Sequence, residues 1–118
     1  MPARVPADLS TLLRTESGLT ALQHELRAEG AASLGRLGRA VEAALGELRA
    51  LDQSSTDADR RETLLYACAE AVWRYFVQRE AFGLVNHDPV IEAYAIPREV
   101  LARVGATAPP RAAAERPA

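Results

Sequence analysis

Hydrophobic positions recur along the first half of the chain with a helical period. From Leu19 the apolar or small residues fall at Leu19, Leu22, Leu26, Gly30, Ser33, Leu37, Val41, Ala44, Leu48 and Leu51, the spacing of about 3.6 residues expected of one long amphipathic helix. Thr20 with Gln23 offers a capping box at its start, and Ser17 is an alternative cap. Leu26, Leu37 and Leu48 stand eleven residues apart, as do Leu34 and Leu45, which keeps the stripe on a nearly straight helix. The middle of the stripe is filled by small residues, including Gly30, Ser33, Gly35 and Gly38. Each glycine there costs about 1 kcal/mol of helix propensity relative to alanine. The stretch reads as a close helix crossing, with a kink or a ligand slot as alternatives.

Residues 53–58 are polar and predict a linker, after which Thr56 or Asp59 can cap a second helix running to about Phe82. Gly83 ends it, with Leu84 placed for the apolar contact of a glycine C-cap. This helix is apolar on two sides: Leu65, Cys68, Val72, Tyr75 and Phe76 on one, Tyr66, Ala69, Trp73 and Val77 on the other. The pattern predicts a helix at the centre of the fold, with Glu70 and Arg74 on its wet stripe spaced for an ion pair. Beyond it, Asp88 can serve as N-cap and Pro89 as first residue of a short helix. Pro97 stops that helix and starts another turn of helix that ends at Gly105.

These elements predict an all-α fold: a long amphipathic helix packed antiparallel on a central aromatic-rich helix, followed by two short C-terminal helices. Residues 1–16 read as an N-terminal arm, partly disordered or a short helix capped by Asp8 or Ser10, residues 17–105 as one helical domain, and residues 106–118 as a disordered tail of proline, alanine and arginine. A first helix of about 33 residues is about 50 Å long, whereas a domain of about 100 residues is roughly 33 Å across. Either the helix kinks at its glycines, or another copy of the chain covers the excess apolar stripe.

Composition narrows the classes of function. Over 118 residues, 14 basic groups face 16 acidic ones, and every basic residue is arginine. No segment is strongly basic, which argues against a polyanion as partner. No run approaches the roughly 20 apolar residues a bilayer span needs, the first residues lack the apolar core of a leader, and a single cysteine rules out a disulfide within the chain. A cytosolic protein is the expectation.

Chemistry-bearing residues are few. Cys68 sits among Ala67, Ala69 and Ala71 and reads as a small buried hydrophobe. His24 lacks an acid or histidine at helical offsets, and Glu25 with Glu29 misses the Glu-x-x-His pattern of metal sites in helical bundles, so neither a metal nor any other cofactor is expected. His87-Asp88 lacks a nucleophile, and Asp88 is expected to be occupied as a cap. No catalytic residue is assigned, and the chain is not expected to be an enzyme. Arg79 continues the buried stripe of the second helix, so it needs a partner at the core edge, with Glu25, Glu29, Asp88 or Glu92 as candidates. Residues 90–104 have the cadence of a helix-turn-helix, yet Glu99 opposes Arg98 and Arg103 in a net acidic region.

The stretch 64–84 (LLYACAEAVWRYFVQREAFGL), the stretch 87–105 (HDPVIEAYAIPREVLARVG) and the upstream stretch Glu25 to Leu48, with Leu34, Gly35 and Gly38, resemble a family of small bacterial proteins known only as a domain of unknown function. The resemblance spans about residues 19–105 and excludes both tails. It implies a bacterial cytosolic helical protein and carries over no activity, cofactor or catalytic residue. Two functions remain. One is a non-enzymatic helical interaction or structural module, associating with itself or another helical protein through the long first helix, with Gly30, Ser33, Leu34, Leu37, Val41, Leu45 and Leu48 as candidates for interaction or for helix packing within the chain. The other is a regulatory module binding an anion or nucleic acid through Arg74, Arg79, Arg98 and Arg103. Arginines turned inward and paired would favour the first, and arginines converging on one open pocket the second.

Overall fold

The computed structural model describes residues 6–108, and side chains from Gly18 onward except Leu19. The side chains of the whole expected arm, 1–16, and of all but the first three residues of the expected tail therefore lie outside the described residues. Among the described residues four helices follow in order: α1 (Pro6–Ser54), α2 (Ala58–Ala81), α3 (Asp88–Tyr94) and α4 (Arg98–Leu101). The chain divides into two compact units, 1–33 and 34–118.

Unit 1 holds the first part of α1. The helix begins at Pro6, so Ser17, Thr20 and Gln23 lie within it and not at its start. Gly18 does not interrupt it, because a glycine weakens a helix by about 1 kcal/mol and ends one only when it takes a left-handed conformation, as Gly83 and Gly105 do here. Leu22 and Leu26 stand 47% and 57% exposed, whereas Gly30 is buried and Ser33 half-buried.

Unit 2 is a helical hairpin closed by two short helices. Its core joins Val41, Leu45 and Leu48 of α1 to Leu65, Cys68, Ala69, Val72 and Tyr75 of α2, with Ile96 and Val100 closing the end. Burying each large side chain contributes about 1.5–3 kcal/mol. The hairpin linker shrinks to residues 55–57, and the cap of α2 is Asp57, whose side chain accepts from the Arg60 N–H at 3.0 Å. Thr56 and Asp59 were the expected caps. Asp57 takes the role because its backbone is extended (φ −69, ψ 101), while Asp59 is already in the first turn. At the other end Gly83 N–H and Leu84 N–H close onto the Glu80 and Arg79 carbonyls at 2.9 Å each.

The N-cap of α3 is His87, not Asp88. Asn86 Oδ1 accepts the Asp88 N–H at 3.1 Å, so the polar side chain that organises this turn sits two residues earlier than expected. Ala95 ends α3 in the left-handed region (φ 53, ψ 51), and Pro97 leads into α4, as its restriction on Ile96 requires.

One expectation about α2 changes. Its first apolar side is buried except for a half-buried Phe76, but on its second side only Ala69 is buried, with Trp73 and Val77 46% and 44% exposed. The helix has one covered face and one open face, because α3 and α4 are too short to wrap it.

Candidate interaction surface and its charge network

The small-residue stretch of α1 works as a close contact at Gly38. A Cβ built there would stand 2.5 Å from the Tyr94 hydroxyl oxygen, so glycine is what lets the α3 tyrosine lie against the helix backbone. The Tyr94 ring meets Tyr75 edge-on, with centroids 5.9 Å apart. Burial first, then a hydrogen bond with Tyr75, push the Tyr94 hydroxyl above its ordinary pKa. Leu34 and Leu37 pack partly against the core, and Val41, Leu45 and Leu48 are 0–2% exposed within it. Those three residues are spent inside the chain and offer nothing to a partner.

Among the described residues no ion pair joins Arg79 to Asp88 or Glu92, and Glu25 and Glu29 are exposed in the other unit. Instead Arg79 Nε donates to His87 Nδ1 at 3.1 Å and its Nη2 to the Asn86 carbonyl at 2.8 Å. Because a guanidinium can only donate, His87 Nδ1 must accept, which leaves the hydrogen on Nε2, 2.8 Å from Glu80 Oε2. The His87 ring stacks on Phe76 with centroids 4.0 Å apart. The cluster ties the loop after α2 back to its last turns.

Other arginines are committed as well. Arg74 pairs with Glu70 at 2.7 Å, as the spacing predicts. Arg103 grips the Glu62 carboxylate at 3.0–3.1 Å, donates to the Glu99 carbonyl at 2.7 Å and lies over the Tyr66 ring. Arg61 bridges Asp52 and Glu99, each at 2.7 Å, so those two acids push its pKa up and it in turn lowers that of Glu99. Arg49 donates to the Tyr94 and Ala95 carbonyls at 3.1 Å and so caps the end of α3. Arg98 is exposed on α4, a helix of four residues, about one turn and too short to lie along a DNA groove as a recognition helix.

The open side of α2 carries a groove of about 550 Å³ lined by Thr63, Tyr66, Ala67, Glu70 and Trp73 and by the chain from Gly105 to Ala108. Gly105 needs its positive φ of 81, and a Cβ there would stand 3.8 Å from Trp73 Cδ1, so this residue turns the chain across the indole. Among the described residues no group of three or more His, Cys, Asp or Glu could hold a metal ion, and no helix is long and apolar enough to cross a membrane.

A family model described as a family of unknown function, DUF6665, matches residues 1–112. The chain belongs to that family. The match extends beyond the 19–105 span of the resemblance at both ends. No curated protein and no solved structure matches the chain.

The long-range ties through Arg49, Arg61 and Arg103 and the groove beside Trp73 escape a reading of DUF6665 periodicity in this chain. A signal for the groove was present in the second apolar side of α2, which is more than a core helix in so small a domain can bury.

Proposed function

We propose that the chain is a non-enzymatic helical interaction module of the bacterial cytosol that self-associates through the first part of α1. The observation that carries this reading is the exposure of Leu22 and Leu26, at 47% and 57%, one helical turn apart. Covering each leucine contributes about 1.5–3 kcal/mol, and a second copy offers the same stripe in a symmetric contact. Half-buried Ser33 continues that stripe, while Gly30 is already covered and Val41, Leu45 and Leu48 serve the core. The commitment of Arg74, Arg79 and Arg103 to partners within the chain supports this reading over recognition of an anion. The free thiol of Cys68, buried in the core, suits a reducing compartment.

Sedimentation equilibrium at tens of micromolar tests the reading. The expected result is a mass above that of the monomer, falling to the monomer when Leu22→Glu and Leu26→Glu are combined. A monomeric parent chain at that concentration overturns it.

A further inference from the structure

The open face of α2 carries a groove with two aromatic residues and one charge. Thr63, Tyr66, Ala67, Glu70 and Trp73 line it, and the chain from Gly105 to Ala108 completes the lining. The five α2 residues recur at offsets of three, one, three and three, so they share one side of the helix. Trp73 is 46% exposed and Tyr66 half-buried, with the exposed Ala67 between them in the sequence. Both rings are held before anything binds. Arg103, gripped by Glu62, lies 5.5 Å over the Tyr66 ring, and the Trp73 indole lies against the turn at Gly105. We propose that this groove binds an extended, proline-rich segment of a partner protein, with prolines against Tyr66 and Trp73 and a basic residue beside Glu70.

Spacing, charge and length all favour that occupant. Tyr66 and Trp73 are seven residues apart, which roots their rings about 10.5 Å from each other along the helix. A polyproline helix repeats every three residues, or about 9.3 Å, so its successive ridges meet the two rings in turn. Such a segment is stiff before binding and loses little conformational freedom, which is why aromatic-lined grooves take it well. From Thr63 to Trp73 the helix spans about 15 Å, room for about five residues of the ligand. Glu70 is the one charged side chain among the described lining residues, so the groove favours a cation and disfavours an anion. Its carboxylate meets Arg74 at 2.7 Å in an exposed pair, of a kind that contributes little and is readily shared with an incoming guanidinium. Arg74 itself lines a separate depression that reaches Leu37 on α1. The site uses none of the residues of the self-association reading and does not depend on it.

Trp73 is the one tryptophan of the chain, so it reports on the groove directly. The experiment titrates the full chain with a synthetic peptide, Pro-Leu-Pro-Pro-Leu-Pro-Arg-Arg, to millimolar concentration, following Trp73 emission and acrylamide quenching. A saturable shift to the blue with reduced quenching is expected. The same peptide with alanine at every proline, or with glutamate at both arginines, is expected to bind at least about tenfold more weakly. Ala67→Leu, which fills the groove floor at an exposed helical position, should also weaken binding at least about tenfold, with circular dichroism verifying that the variant is folded. Glu70→Gln should weaken it about two- to fivefold, an effect that shrinks as salt is added. No saturable change with the proline peptide overturns the proposal. So does equal binding of the alanine peptide, which would assign the surface to a helix or to any basic chain, and so does binding that Ala67→Leu leaves unchanged, which would place the peptide elsewhere. An equal shift with arginine amide alone also overturns it, by assigning the groove to a small cation.

Discussion

Replacing Gly38 by alanine sets two effects of similar size against each other, and the structure says which prevails. In a helix interior the exchange gains about 1 kcal/mol of propensity. At Gly46 nothing lies within 4 Å of the added Cβ, so Gly46→Ala is expected to stabilise by about that amount. At Gly38 the Cβ meets the Tyr94 hydroxyl oxygen at 2.5 Å, and the ring cannot simply retreat because its edge packs on Tyr75. Overpacking of this kind costs about 1–3 kcal/mol, and disturbing the aromatic pair costs about 0.5–1.5 kcal/mol more. Gly38→Ala is therefore expected to destabilise by about 0.5–3.5 kcal/mol net. The decisive background is Tyr94→Phe. It deletes the clashing oxygen and leaves the ring carbon at 3.5 Å, an ordinary contact, so in that background Gly38→Ala should be neutral or stabilising. Urea unfolding followed by circular dichroism on the four chains of the cycle measures the coupling. If Gly38→Ala stabilises the parent chain as Gly46→Ala does, the close approach of Tyr94 to α1 is not what the glycine serves.

Ala95 holds a left-handed conformation that costs an alanine roughly 1–2 kcal/mol, so Ala95→Gly should raise the melting temperature by several degrees, and a lower one would contradict the cap geometry. Arg79→Ala removes the bonds to His87 and the Asn86 carbonyl and should lower stability by about 1–2 kcal/mol; an unchanged melting temperature counts against a structural role. Burial, with the charge of Glu47, pushes the Cys68 thiol up to about 11. The folded chain should thus resist thiol reagents at mildly alkaline pH and react only as it unfolds. For the same reason its stability is full below the ordinary thiol range and falls as pH rises from there toward 11, a dependence that Cys68→Ala should weaken.

The helices were legible where periodicity and punctuation agree. The Val41–Leu45–Leu48 stripe, the Leu65–Cys68–Val72 face and the Pro97 break all stand where pattern placed them. Caps were less legible, because Thr56, Asp57 and Asp59 are all competent by residue type and only the extended backbone at Asp57 selects one. Arg79 is half-buried, but its partners could not be read, since His87 and Asn86 reach it only after the α2–α3 loop has turned. Helical period alone could not tell that the Trp73 and Val77 side of α2 stays open, because it marks an apolar face without saying how much neighbouring chain exists to cover it.

The arginine ties that hold α3 and α4 have a consequence for the order in which the chain assembles. The α1–α2 hairpin closes through residues 55–57, a short loop whose closure entropy is small. By contrast, Arg49 meets its carbonyls 45 and 46 residues away, and Arg61 meets Glu99 across 38. Contacts this distant become favourable only once a surface exists to receive them. The C-terminal pair of helices should therefore dock late in folding onto a formed hairpin and be the first part of it to release. Amide hydrogens of Ile96 and Val100 exchanging faster than those of Val41 and Leu65 would be its signature, and slower exchange at the C-terminal pair would reverse the order.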